Sequence, residues 1–483
     1  MTTHPDEPAL DFDVVVAGAG GAGCTAALAA AQGGLSVLLA DTKENFRRGC
    51  NTAMSTSMIP AGGSRWQREL GIEDSPDLVY ADVMRKTHGM ADPTIARALV
   101  DVAPWLVEWL NDACGVPLEL PTDFIYPGHS RHRCHCVHDR AGASLHRHLL
   151  AAVASLGERV TLVAPMRMTA LRLDEHTGAV SEATLVRPDG GEETVRTAAV
   201  VLATGGFGGN QRLVHELIPE IEHALYFGSD GCQGDGLLIG EQLGADLGYL
   251  DAYQGHGSVA TPQGIMCTWI TITHGGCILN ARGERFADES TGYSEFARCV
   301  VAQPDHTAWV VLDKRIDRAC EPFADYQALV DSGAIRWVAD ADGLARTIGA
   351  EPQRVRATLE MAERAARGQA PDPLGRSAWE APLAPPYGVV KVEGALFHTQ
   401  GGLLIDRNAA VLSQGRPIPG LYAAGGAAAG MSGHGPDGYL AGNGLLAALG
   451  LGYLAGSAAA LIRARQRRPS RSAGAAAAGP GRE

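Results

Sequence analysis

Three glycines, Gly18, Gly20 and Gly23, follow a short apolar run from Val14 to Ala17, and an acid, Asp41, stands 18 residues after the last of them. These residue types at this spacing fit the grip on a dinucleotide. Gly18 permits a tight turn, Gly20 lets the main chain approach a pyrophosphate, and Gly23 lets a helix pack on a strand with no side chain between them. Asp41 can accept hydrogen bonds from a ribose. A second candidate for chemistry is the stretch from His129 to His138, dense in histidine and cysteine. Cys134 and Cys136 are separated by one residue and no pair of CxxC motifs exists, so zinc is not expected and no metal site is assigned. Neither a CxxCH haem site nor an iron–sulfur spacing occurs, so electrons are expected to enter and leave through one organic cofactor.

The glycines can act only if a strand delivers them and a helix begins at them. The apolar run supplies the strand, and the alanine-rich segment from Cys24 to Gln32 supplies the helix. A second apolar run, Leu35 to Ala40, brings Asp41 to the edge of the same turn. The helix start adds free N–H groups and a positive dipole end for phosphates.

The chain has 483 residues, 46% hydrophobic and 19% charged, which is enough for two or three globular domains. Its net charge of -14 argues against nucleic-acid partners. Met1 to Asp13 is polar and acidic and lacks the layout of a secretion signal. The 10 cysteines are scattered and read as reduced thiols in a cytoplasmic protein.

Phe46 to Gly63 is rich in small and hydroxyl residues; it is either a segment lying flat on a cofactor or an ordinary loop. Pro76 to Asn111 and Leu145 to Leu156 have helical spacing. Val160 to Val200 alternates as a small antiparallel sheet turning at Pro188–Gly191. Ala198 to Gly209 is an apolar strand stopped by Thr204 and four glycines. Strands near Gly264–Leu279 and helices near Leu344–Arg367 belong to a region of different character. Gly444 to Ile462 is uncharged for 19 residues, and arginines follow it. Its length and the arginines after it fit a membrane span, but its Ala, Gly and Leu composition favours a buried helix under a cofactor, so no stable membrane insertion is expected. The tail from Arg463 is expected to be disordered.

These pieces, in this order, resemble the flavoprotein family of fumarate reductases and succinate dehydrogenases, which includes ketosteroid dehydrogenases. The matching stretches are Val201–Asn210, Gly234–Gly236, Gly276–Glu289 and Ile418–Gly425. The resemblance implies an α/β fold: a Rossmann-like FAD-binding domain in two parts, 10–250 and 386–462, with an inserted α+β capping domain, 251–385, and a tail, 463–483. It implies that FAD touches Gly18, Gly20, Gly23, Asp41, Asn51, Thr52, Ser55, Ala203, Thr204, Gly205, Asp235, Gly425, Asn443 and Leu445. Asn51 stands where membrane relatives carry the histidine that bonds covalently to FAD, so noncovalent FAD is expected. Gly426 stands where relatives often have glutamate.

The resemblance also places His256 and His398 at family active-site positions. Tyr293 and Tyr439 stand where the dicarboxylate enzymes have a proton-shuttling and a substrate-clamping arginine. A guanidinium binds a carboxylate through two charge-assisted bonds, whereas a phenol offers one neutral bond. Tyrosines there look more like the ketosteroid dehydrogenase branch. The expectation is hydride transfer between a carbonyl substrate and flavin N5, inserting or reducing an α,β double bond with a Tyr/His acid–base pair. Two alternatives remain open. One is a fumarate-reductase-like enzyme using Arg285 or Arg298 on a carboxylate. The other is a flavin-binding partner protein without chemistry of its own. The sequence leaves the electron acceptor unnamed.

Overall fold

The structure, a computed structural model, describes residues 10–466. A six-stranded sheet carries the nucleotide turn. Its strand order is Ala410–Ser413, Arg416–Ala423, Ala199–Leu202, Val14–Ala17, Val37–Ala40, Val160–Val163. All neighbours are parallel except the first pair. Three of the central strands, Ala199–Leu202, Val14–Ala17 and Val37–Ala40, are fully apolar and buried, as expected of a parallel sheet covered on both faces.

One expectation changes here. Val160–Val163 does not join the antiparallel sheet anticipated for residues 160–200 and is recruited to the parallel sheet, whereas Ala199–Leu202 forms the separate apolar strand expected from Ala198 onward. The antiparallel sheet itself is smaller, ordered Leu10–Asp11, Glu192–Arg196, Val180–Val186, Arg167–Leu173. Alternation marks the three strands with one wet face; continuous apolarity marks those buried on both.

A seven-stranded sheet is drawn from residues 225–399. Its main path runs Ile265–Met266, Tyr253–Ala260, Tyr387–Thr399, Thr307–Asp313, Cys277–Leu279. The strand Tyr387–Thr399 is its spine, pairing with four others including Arg336–Val338. Its 13 residues carry the chain from this sheet back toward the nucleotide sheet.

The helix Asn443–Gln466 is the one described helix long and apolar enough to cross a membrane, and 56% of its apolar window is buried here. It packs on the first helix, Gly21–Gln32, through glycines. A Cβ at Gly452 would stand 2.3 Å from Ala22 O, and one at Gly456 2.3 Å from Ala26 O. Its apolarity therefore follows from burial against another apolar helix. This helix continues to Gln466, four residues into the tail expected to be disordered; the rest of that tail lies outside the described residues.

Candidate active site

Between the two large sheets lies a cavity of about 1050 Å³. At one end is the glycine turn. Gly18 has φ +107, donates its N–H to Ala40 O at 2.6 Å, and has no room for a Cβ, which would meet Ala203 O at 2.2 Å. A Cβ at Gly23 would stand 1.7 Å from Gly18 O, so this glycine closes helix on strand and stands off the cavity wall. Gly20, Gly21 and Ala22 bring the start of the first helix to the wall, and the N-cap residue, Gly20, has no side chain to close it. Asp41 fixes the turn: its carboxylate accepts from the amides of Ala19, at 2.7 Å, and Lys43, at 2.9 Å.

Along the middle, Asn51, Thr52, Ser55, Ala203, Thr204, Gly205, Asp235, Gly425 and Leu445 all line the cavity. The segment after Asp41 lies along this wall as two short helices, Phe46–Gly49 and Asn51–Met54. Thr52 Oγ1 accepts from Gly21 N–H at 2.9 Å, and Thr204 Oγ1 accepts from Gly236 N–H at 3.0 Å. Asn51 is turned to the protein: its carbonyl accepts from Ser229 N–H at 2.6 Å. Asp235 is gripped by Arg167 through two bonds of 2.6 and 2.9 Å. Asn443 does not reach the wall and donates to Ser432 Oγ at 3.3 Å.

FAD fits this cradle. The cavity is at the upper end of the ~300–1,000 Å³ usual for cofactor sites. A helix start faces its phosphate end. Glycine and alanine make up much of the remaining wall.

The other end holds His256, His398, Tyr293 and Tyr439, all lining the same cavity. His256 lies on the strand Tyr253–Ala260 and His398 on Tyr387–Thr399, its antiparallel neighbour. The His256 ring is sandwiched between Phe397 and Tyr293, each with centroids 5.3 Å away. Its Nδ1 accepts the Ser258 N–H at 3.2 Å, which leaves the proton on Nε2. Burial drives its pKa down to about 3. His398 Nδ1 faces Thr399 O at 3.3 Å and so donates, leaving Nε2 as an acceptor. Burial drives its pKa down to about 4. Both imidazoles are therefore neutral at physiological pH.

Tyr293 opens the helix Tyr293–Val301, and its ring meets Tyr439 edge-on at 6.0 Å. Burial and the neighbouring Tyr439 push the Tyr293 phenol far up. Burial also holds the Tyr439 phenol above its ordinary range, and the amides of Gly442 and Gly444 and the Tyr293 hydroxyl offset only part of that rise. Those amides belong to the start of the terminal helix. They went unseen in the sequence because Gly442 and Gly444 read as punctuation.

Every cation on the wall is already engaged. Lys43 pairs with Asp230, and Arg140 with Asp123 at 2.8 Å. The arginines considered as substitute clamps do not line the cavity. Arg285 is buried against Glu289 and Asp372, and Arg298 bonds Asp437 at 2.9 Å. The cysteine–histidine segment is structural: Cys134–Val137 is a buried strand, and His135 bonds Ser64 Oγ at 2.8 Å.

The family model described as FAD binding domain matches residues 13–445. The chain is 31% identical over 461 residues to the NADH:fumarate oxidoreductase of Klebsiella pneumoniae (strain 342), covering 94% of this chain and 48% of that one. It thus spans about half the length of that relative. It is 27% identical over 565 residues to the 4-oxocyclohexanecarboxylate 2-dehydrogenase of Sinomonas cyclohexanicum, covering 94% and 96%. The crystal structure of a 3-ketosteroid-delta4-(5alpha)-dehydrogenase from Rhodococcus jostii RHA1 superposes with a TM-score of 0.76 at 26% identity, covering 95% and 98%. The chain belongs to the FAD binding domain family, and FAD is its cofactor.

Proposed function

We propose that this protein is an oxidoreductase that introduces or reduces a carbon–carbon double bond α,β to a carbonyl, acting on a ring ketone with noncovalently held FAD. One observation carries it: two phenols and two neutral imidazoles converge on one cavity continuous with the FAD cradle, and no free cation lines it among the described residues. That surface suits a neutral carbonyl better than a carboxylate. Relatives named for a ring keto acid and for a ketosteroid, both of which this chain spans almost fully, support a ring ketone.

Bound FAD would supply the two-electron centre that takes or returns a hydride at the β-carbon. The protein's part is the proton at the α-carbon and the polarisation of the carbonyl. Tyr439 is the better seat for a transient negative charge, because two helix-start amides and the Tyr293 hydroxyl converge on its oxygen. Tyr293 serves as its hydrogen-bond donor and proton partner. His256 presents an Nε2 donor and His398 an Nε2 acceptor. The proposal includes the division into an FAD-binding part, 10–250 and 386–462, and a cap, 251–385. It also includes a cytoplasmic setting and a separate electron acceptor.

The test is anaerobic. The holoenzyme is mixed with saturated cyclic ketones, and with the reduced flavin's reoxidation by cyclic enones as the reverse assay. Bleaching by a ketone, or reoxidation by an enone, is expected. A relative named for fumarate makes a carboxylate substrate the second possibility. Succinate bleaching the flavin while cyclic ketones leave it unchanged would overturn the choice of substrate.

A further inference from the structure

The cavity wall contains five carboxylates, and four have donors. Asp41 accepts from two amides, Asp123 from Arg140, Asp139 from Ser144 and the Ala141 amide, and Asp235 from Arg167. Asp325 has none among the described residues. It sits in the first turn of the helix Ala324–Asp331 and is half-buried. Among the lining residues between 254 and 325 it is the one with a charged side chain.

Its surroundings are apolar. Ile265, Ile270 and Phe323 line the cavity with it and pack on the cluster that contains Trp269 and receives Tyr293. Burial against this wall raises the Asp325 pKa, with no partner to bring it down. A half-buried carboxylate on an apolar wall, with no protein donor among the described residues, is open to a donor carried by the ligand. A protonated amine is such a donor, and Phe323, Trp269 and Tyr293 on the same cavity wall offer aromatic faces to an organic cation. The wall's own cations, Lys43 and Arg140, are bound to other acids and do not compete.

We infer that Asp325 is a specificity-determining residue that receives a protonated amine on the substrate, so that the ring ketones turned over here are amino-substituted. The inference rests on the function proposed above. It is tested by titrating the flavin difference spectrum of the holoenzyme with three probes of similar shape at neutral pH. These are 4-(dimethylamino)cyclohexanone, 4-isopropylcyclohexanone and 4-oxocyclohexanecarboxylate. The amine should perturb the flavin at a concentration roughly 10- to 100-fold below that of the isopropyl isostere, as expected for one charge-assisted bond. The carboxylate should be the weakest of the three. Asp325→Asn should collapse the amine-to-isopropyl ratio toward one, and Asp325→Glu should retain it. Equal affinities in the wild-type protein overturn the inference even if the variants fail to fold, and leave the ketone chemistry standing. An undiminished ratio in Asp325→Asn overturns it as well. If none of the three ketones perturbs the flavin, the proposed function falls and takes this inference with it.

Discussion

His256 and His398 sit on hydrogen-bonded antiparallel strands and carry their protons on opposite ring nitrogens. Ser258 N–H fixes the first by donating to Nδ1, and Thr399 O fixes the second by accepting from it. Burial holds both neutral, so the site has one imidazole donor and one acceptor that do not exchange roles as pH falls through the range where histidine ordinarily titrates.

That burial gives a stability prediction with a definite sign. His129, His135 and His398 are pushed down to about 4 and His256 to about 3, each by burial. The unfolded chain then binds more protons than the folded one below the ordinary histidine pKa of ~6.5. Stability is complete above that value and is lost as pH falls toward about 4. Each histidine should remove on the order of 1–2 kcal/mol by about pH 5. His146 works in the opposite direction: burial lowers it, but Cys24 and two carbonyls raise it further. Urea midpoints at neutral and mildly acid pH measure the sum; equal midpoints would refute it.

Tyr439→Phe removes the phenol on which two amides and Tyr293 converge. Anaerobic reduction of the flavin by substrate should slow by roughly 10²–10⁴, the range of a lost general acid–base group. Tyr293→Phe should slow it less, because Tyr439 keeps its amide partners. Stopped-flow traces of the two variants decide the order, and a faster Tyr439→Phe would reverse the assignment.

Gly18→Ala tests the cradle without touching the reactive end. The new Cβ would stand 2.2 Å from Ala203 O at a φ of +107. Backbone strain of about 1–3 kcal/mol and overpacking of a similar size are expected. The purified variant should carry far less flavin per chain than the wild type. Full flavin occupancy, read from the visible absorbance ratio, would show that the turn is not the phosphate site.

Gly456→Val tests the terminal helix. Its first added carbon would lie 2.3 Å from Ala26 O. Overpacking should lower stability by roughly 1–3 kcal/mol. A thermal midpoint unchanged by the substitution would mean that the two helices do not pack as described.

Local sequence sufficed wherever one stretch of chain does one job. Gly18, Gly20, Gly23 and Asp41 lie within 24 residues and share one turn, so their spacing alone declared a dinucleotide site. Helix from Pro76 to Asn111 was visible in the period of its apolar residues, but its division into Pro76–Lys86 and Pro93–Asp112 was not. The resemblance made His256, His398, Tyr293 and Tyr439 candidates, and the fold brings all four to one cavity.

The sequence by itself determined a phosphate-gripping turn, a flavin-sized investment in glycine, and phenols in place of guanidinium groups. It did not determine which phenol has hydrogen-bond donors facing it, which nitrogen of each imidazole is protonated, or that Asp325 lines the wall with no partner among the described residues. Those follow from contacts between residues far apart in the chain: Tyr293 with Tyr439, Gly442 and Gly444 with that same phenol, and a cap helix with the cavity. Burial and hydrogen-bond partnership are properties of the packed chain, and they alone set the protonation states on which the chemistry depends.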